Sequence, residues 1–399
     1  MRLLSLFLCL FLSLQMSAYA DEKDKPTTIS PWLYKKLIRT EKLIEKENYL
    51  KAEQKLIAML ADVDKPSYEQ ATVLRSLSSV YVLKGTYKKA AEILSKVVKL
   101  NVLPKDQEQQ AFLNLGQLYM SIEQYSKAIQ ILEPWLKNNS SSNSQINALL
   151  ANAYTQLKKY RKAVPFIKKA IANSKKPEES WYQLNLALYF ELEEYSSAAK
   201  ILKQLIRRYP DKKQYWQQLV ATYQQLKQYK KAVSVKYLAY KKGYITTEKD
   251  IVALANLFLV INSPYKAAKV LKQEINNKRV KSNSKNWELL ATAWSLAKEY
   301  DAAILALETA SKFNDKGGLS QRLGQIYVEQ EQWSKAVSSL NKALNKGGLK
   351  NTGATYLLLG MSYYELKNNQ QAKKAFLKAA KYNKHKKSAN QWLVYISHS

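Results

Sequence analysis

The chain of 399 residues carries 64 Lys and Arg against 32 Asp and Glu, a formal net charge of +32, with one cysteine, two histidines, 28 tyrosines and eight tryptophans. One cysteine excludes a disulfide framework within the chain, and two histidines near the C-terminus, His385 and His398, are too few for a histidine-built metal centre or triad. The positive balance predicts attraction to polyanions such as nucleic acid, anionic lipid, acidic glycan or acidic protein, although lysine also keeps an apolar repeat array soluble.

Residues 1–20 read as a secretory signal peptide. Arg2 supplies the positive start, Leu3 to Leu14 the apolar run, and Ala18-Tyr19-Ala20 the small-residue cleavage site, so cleavage is expected after Ala20. The run is shorter than the roughly 20 apolar residues a spanning helix needs, which makes a retained anchor the weaker alternative. Cys9 lies inside this run, and Phe7-Leu8 stand where a lipoprotein leader needs a small residue. Loss of the leader removes Arg2 alone among charged residues, leaving +31 and no cysteine, which suits an oxidising compartment. An exported protein rarely meets nucleic acid, so none is expected, and lipid, glycan and protein rank above it. Residues 21–32 are expected to form a disordered lead-in, with Pro26 and Pro31 as breakers.

From residue 33 an alanine recurs at an almost constant interval: Ala52, Ala90, Ala128, Ala163, Ala198, Ala232, Ala267, Ala303, Ala336 and Ala372, with gaps of 33 to 38 residues. Nine positions before it stands an aromatic, usually Tyr, three before it usually another, and four after it Leu or an equivalent. A period in this range marks stacked supersecondary units. Each unit reads as two amphipathic helices: Trp216, Leu219, Val220 and Tyr223 show the i, i+3, i+4, i+7 face, and Ala303, Leu307 and Ala310 the second stretch. Short polar turns such as Lys158-Lys159 or Glu331-Gln332 join them into antiparallel hairpins. Small residues, among them Gly116, Ala151, Ala255, Ala291, Gly324 and Gly360, are expected where the two helices come closest. Asn138 to Asn143 and Asn276 to Asn286 are expected loops, Gly317-Gly318 and Gly347-Gly348 expected turns, and Lys387 to Ile396 a closing helix that covers the last apolar face.

This pattern resembles the tetratricopeptide repeat, W-x2-L-G-x2-Y followed by Y-x2-A-x3-F-x2-A and often Pro, over roughly residues 33 to 384. The resemblance implies an all-α solenoid of about ten hairpins in a right-handed superhelix, first helices lining the concave face, with a capping helix and tail over 385–399. Departures are Leu186 and Val220 in place of the small residue, Lys236 in place of the large apolar one, and Pro264 and Asn369 in place of the turn aromatic. They predict locally looser or re-angled packing.

Most aromatics and glycines are thereby assigned to packing, and no catalytic constellation remains. There is no Gly-rich phosphate loop and no metal-ligand spacing, and Glu191, Glu193 and Glu194 read as a solvated helix end. Neither an enzymatic role nor a cofactor is expected. The exposed positions of the first helices carry an amide series, Gln110, Gln117, Gln145, Asn152, Gln156, Gln183, Gln214, Gln217, Gln224, Asn256, Gln321 and Gln325. Amides donate and accept, so this face suits the backbone of an extended peptide, while glutamine is also simply a good exposed helix former. The Lys/Asn/Arg set with which family grooves grip a C-terminal carboxylate is missing. Lysine instead concentrates in pairs such as Lys88-Lys89, Lys158-Lys159 and Lys373-Lys374, predicting a nearly neutral groove and a basic exterior.

The signal peptide followed by Ser30-Pro31-Trp32-Leu33-Tyr34-Lys35-Lys36, the ten-repeat length and the Lys/Gln-rich helices resemble the exported repeat proteins that accompany TonB-ExbB-ExbD systems of Gram-negative bacteria. That resemblance implies a periplasmic scaffold supporting TonB-dependent uptake of iron chelates, with components of that system as partners. The alternative is a basic envelope factor that holds lipopolysaccharide, anionic lipid or an exported polysaccharide on its outer surface.

Overall fold

The computed structural model describes residues 28–138, 143–314 and 316–397. The leader of residues 1–20, most of the lead-in, the middle of the Ser/Asn loop and His398 lie outside the described residues. What is described is all-α, with no strand among the described residues.

The chain divides into two compact units at Ile201–Leu202. In the first stand α1 (Pro31–Glu45), α2 (Tyr49–Asp62), α3 (Tyr68–Leu83), α4 (Tyr87–Leu100), α5 (Lys105–Ser121), α6 (Tyr125–Asn138), α7 (Ser144–Gln156), α8 (Tyr160–Asn173) and α9 (Glu179–Glu191). The division falls inside α10 (Tyr195–Arg208). In the second stand α11 (Lys213–Gln225), α12 (Tyr229–Lys241), α13 (Glu248–Val260), α14 (Pro264–Asn276), α15 (Ser284–Leu296), α16 (Tyr300–Phe313), α17 (Gly317–Glu329), α18 (Trp333–Lys346), α19 (Thr352–Glu365), α20 (Asn369–Ala379) and α21 (Asn383–Ser397).

The core follows the ladder. All ten alanines are fully buried, and so, at 0–5% exposure, are nine of the ten residues four positions on, from Leu56 to Phe376. The tenth is Lys236. The small residues of the first helices face these side chains. A Cβ added at Gly324 would stand 2.6 Å from Leu340, one at Gly360 2.6 Å from Phe376, and one at Gly116 2.8 Å from Leu132 and 2.7 Å from Leu149. Any larger residue would push the paired helices apart. The aromatics nine before the alanines are buried at Tyr81, Tyr119, Tyr154, Tyr189, Tyr223 and Phe258 and half-buried at Trp294, Tyr327 and Tyr363.

Every hairpin turn repeats one backbone geometry. Each second helix from α2 to α20 starts at the turn position occupied by Tyr, Trp, Pro or Asn. Two residues earlier the chain enters the left-handed region, at φ of 55–70° from Glu47 and Gly85 to Glu331 and Lys367. The residue between them donates its N–H to the carbonyl five positions back at 2.8–2.9 Å, as in Thr86 to Tyr81 and Gln332 to Tyr327. This is the 6→1 closure that satisfies an orphan carbonyl at a helix end.

Four expectations are adjusted. Pro31 opens α1 at its first position rather than breaking it, because a helix start has no use for the missing N–H; Ser30 caps it by accepting from Leu33 N at 3.3 Å. Gly317-Gly318 begin α17 instead of forming a turn. Gly317 is buried so close to the carbonyls of Gly347 and Ala343 that a Cβ would lie 2.7 Å from the latter. The basic loop is shorter than 276–286, since Asn283 caps α15 and Asn286 is buried inside it, donating to Glu248 Oε1 at 2.7 Å and Lys281 O at 2.8 Å. The closing helix is longer than 387–396. In α21 the Trp392 ring stacks on Phe376 at 5.4 Å and 5°, while Gly353 of α19 lets Tyr382 and His385 approach.

Candidate partner-binding faces

The amide series lies on first helices, as its spacing implied: Gln110 and Gln117 on α5, Gln145, Asn152 and Gln156 on α7, Gln183 on α9, Gln214, Gln217 and Gln224 on α11, Asn256 on α13, Gln321 and Gln325 on α17. Nine are exposed; Gln117, Gln321 and Gln325 are half-buried. Several pair along their own helix. Gln110 donates to Asn114 Oδ1 at 2.7 Å and Gln156 to Asn152 Oδ1 at 3.4 Å, the i, i+4 spacing that brings two side chains together. Gln321 is committed elsewhere: its amide donates to Thr355 Oγ1 at 2.8 Å and Asn351 O at 3.2 Å, tying α17 to α19. It serves packing, so it leaves the set available to a ligand.

The lysine pairs are exposed throughout, from Lys88-Lys89 to Lys373-Lys374. A subset has a second employment. Lys89, Lys127, Lys231 and Lys335, each directly before a ladder alanine, lie 5.7–5.9 Å from the ring centroids of Tyr81, Tyr119, Tyr223 and Tyr327. Contacts of this kind contribute about 0.5–1 kcal/mol at exposed sites. The tyrosine hydroxyls are tied as well. Tyr81 donates to Glu53 at 2.8 Å, Tyr154 to Glu133 at 2.6 Å and Tyr240 to Glu274 at 2.5 Å. Burial and then the Glu133 bond push the Tyr154 hydroxyl up to about 12, and the same two causes raise Tyr240. Glu274 is fully buried and is also held by Arg279, whose Nη2 donates at 2.7 Å.

The neutral-groove expectation fails along α11. Lys213, Gln217, Val220, Ala221 and Gln224 share one side of a cavity of about 350 Å³, whose other walls are Lys236 and Ala239 of α12, Tyr244 and Ile245 of the following loop, and Lys249 and Asp250 of α13. Three lysines against one aspartate make this stretch cationic. Lys236, whose side chain is 11% exposed, donates to Asp250 Oδ1 at 3.0 Å. Burial alone would raise the Asp250 carboxyl, but hydrogen bonds from Lys236 and Thr247 outweigh it and hold it below its ordinary value. Val220 and Lys236 are the departures from the repeat that predict loose packing here, and a lysine in an apolar slot is the signal that something polar faces it; nothing in the repeat frame singles out Lys213, Lys249 or Asp250.

Among the described residues, no group of three His, Cys, Asp and Glu side chains is placed to hold a metal ion, and no helix is long and apolar enough to cross a membrane. Family models described as tetratricopeptide repeat match residues 109–133, 144–177 and 354–386, and a further one matches 182–212. No curated protein matches the chain. Among solved structures, MamA is similar at 20% identity, over 43% of this chain and 97% of that one, with a TM-score of 0.37. MamA 41-end from Desulfovibrio magneticus RS-1 is similar at 16% identity, over 46% and 99%, with a TM-score of 0.38. A tetratricopeptide repeat protein from Parabacteroides merdae ATCC 43184 is similar at 13% identity, over 74% and 99%, with a TM-score of 0.40. The chain thus carries tetratricopeptide repeats at the matched stretches, and the helices themselves extend the hairpin pattern from α1 to α20.

Proposed function

We propose that the chain is a non-enzymatic scaffold that holds an extended segment of a protein partner against the exposed faces of its first helices. The observation that carries this reading is the amide series, with Gln145 and Asn152 exposed on α7 and Gln214, Gln217 and Gln224 on α11. Such side chains satisfy a peptide backbone without requiring a charge. Crosslinking in cells from Asn152 and Gln217, followed by identification of what is captured, tests it. Recovery of one protein from both positions is expected, and recovery of lipid or glycan alone sinks the reading.

The finer reading is an exported protein of the Gram-negative periplasm whose partners belong to a TonB-ExbB-ExbD system and whose role is to support uptake of iron chelates. The leader of residues 1–20 and the Ser30 to Lys36 segment support it. Fractionation of cells with the protein detected beside a known periplasmic marker tests the location, and a captured partner outside that system would overturn the assignment. The second reading, a polyanion-binding envelope factor, is favoured by the exposed lysine pairs and the net charge of +32. Salt separates the two. Polyanion binding should collapse between low and moderate ionic strength, because exposed charges are screened beyond about 10 Å at 0.1 M, whereas capture of a neutral extended segment should barely change.

A further inference from the structure

We propose that the cavity between α11, α12 and α13 is a binding site for a small organic acid, a carboxylate carried on a compact apolar body. The site shares Gln217 and Gln224 with the amide face of α11, and its occupant goes beyond the scaffold reading.

Size and extent come first. About 350 Å³ lies at the lower end of the roughly 300–1,000 Å³ range of small-ligand pockets. The lining is confined to residues 213–250 and takes in no residue of α15. That favours a compact occupant over a chain running from repeat to repeat.

The walls specify the chemistry. Trp216, Val220 and Ile245 are each only 6% exposed and offer apolar surface. The Trp216 indole N–H is already spent on Pro210 O at 2.9 Å, so that residue presents an apolar ring edge and face, with Tyr244 packed beside it at 5.9 Å. Lys213, Lys236 and Lys249 line the same space, and of these Lys236 alone has an ion-pair partner within 4 Å among the described residues. Three lysines against the single carboxylate of Asp250 leave the cleft with a net positive charge beside apolar surface, a setting that suits a carboxylate carried on a hydrophobic body.

Lys236 gives the reason to regard the cleft as more than a packing fault. The equivalent slot is apolar in the nine other hairpins. A half-buried ion pair such as Lys236–Asp250 is weak as a source of stability, since replacing both partners by well-packed apolar residues is commonly neutral or stabilising. Departures from a local rule that bring no stability are expected at functional positions.

The test is calorimetric titration of the full chain with acetate, hexanoate, phenylacetate and 4-phenylbutyrate, and with 4-phenylbutanamide as the uncharged counterpart of the last. The expected result is saturable binding of at least one of the acids with an apolar body, at least about tenfold weaker for acetate and for the amide. Lys213→Gln with Lys249→Gln should weaken it by at least about tenfold, and Lys96→Gln with Lys99→Gln on α4 should leave it unchanged. Lys236→Met should also weaken it and lower the unfolding midpoint, because Asp250 loses its partner; if that variant does not fold, the two exposed lysines carry the test. No saturable binding of any acid, equal binding of the amide, or equal loss in the α4 control overturns the proposal. So does binding seen only when the acid is placed at the end of a peptide. Crosslinking from Asn152, in the other compact unit, is unaffected by these variants, so failure here and failure of the scaffold reading are told apart.

Discussion

At the scale of single residues, the closest approach between paired helices makes the sharpest predictions. Gly324 and Gly318 both lie on α17, yet a Cβ at Gly324 would stand 2.6 Å from Leu340 while one at Gly318 would meet nothing within 4 Å. Gly324→Ala should therefore destabilise the chain by about 1–2 kcal/mol, overpacking outweighing the roughly 1 kcal/mol gained in helix propensity, whereas Gly318→Ala should be neutral or stabilising. Urea unfolding of the two variants decides it, and equal effects would remove steric contact as the cause. Tyr154 supplies a pH prediction. Its hydroxyl, ordinarily near 10, is pushed up to about 12 in the folded chain, by burial first and then by the bond to Glu133. A proton held more tightly in the folded state contributes stability that is whole below pH 10 and fades as pH rises towards about 12. Tyr154→Phe should lower stability near neutrality by about 1 kcal/mol and flatten the loss at alkaline pH. An unchanged alkaline slope would mean the hydroxyl does not carry it. These positions were legible because chemistry at a packing contact is narrow. At Gly324 a Cβ has no room, and an aromatic fills the neighbouring space in nine hairpins, so residue type revealed these contacts.

Between helices, the turns were legible in place but not in conformation. The ten left-handed residues are occupied by Glu, Lys and Asn with a single Gly, at Gly85, so composition gave no sign that the backbone is left-handed there. The conformation is imposed by the 6→1 bond and the packed aromatic behind it, not by the residue that adopts it. A non-glycine residue in that region costs about 1–2 kcal/mol, and glycine loses about 0.5–1 kcal/mol of that advantage through its freer unfolded chain. Lys298→Gly, at φ 61°, should thus raise stability by about 0.5 kcal/mol, while Gly85→Ala should lower it by about 1 kcal/mol. Thermal unfolding of both variants checks the pair, and a destabilised Lys298→Gly would place the value of that lysine in its side chain. Gly317 misled for the converse reason. A glycine pair reads as a turn, whereas this one is required by the close pass of the α17 start to the Gly347 carbonyl, a contact 30 residues away in sequence.

For the molecule as a whole, the charge is the property with the widest reach. A surplus of +32 repels itself in the compact state more than in the expanded one. Raising salt from about 20 to 200 mM should therefore raise the unfolding midpoint, since screening shortens the reach of each charge from roughly 20 Å to under 10 Å. A midpoint that falls with salt would show that attractive pairs dominate the surface. The candidate faces were half legible at this scale. Nine of the twelve amides are exposed as the helical period implies, whereas Gln117, Gln321 and Gln325 are half-buried, which only the packing of neighbouring helices decides. The cationic cleft was not foreseen, because it takes three helices and a loop to assemble Lys213, Lys236, Lys249 and Asp250, and no spacing along one helix encodes that. Most of the lysines nevertheless remain where a solvent-facing role suffices, and the four over tyrosine rings show that part of the excess is structural.

The identical turns have a genetic corollary. From the aromatic to the following alanine the distance is nine residues in all nine hairpins that have one, while the interval between alanines ranges from 33 to 38. Drift in length has accumulated at the joints and at the outer helix ends, and none between the aromatic and the alanine. Duplication or deletion breakpoints at those joints would pass on a working module, and a frame-preserving insertion of even one codon within a hairpin turn would not.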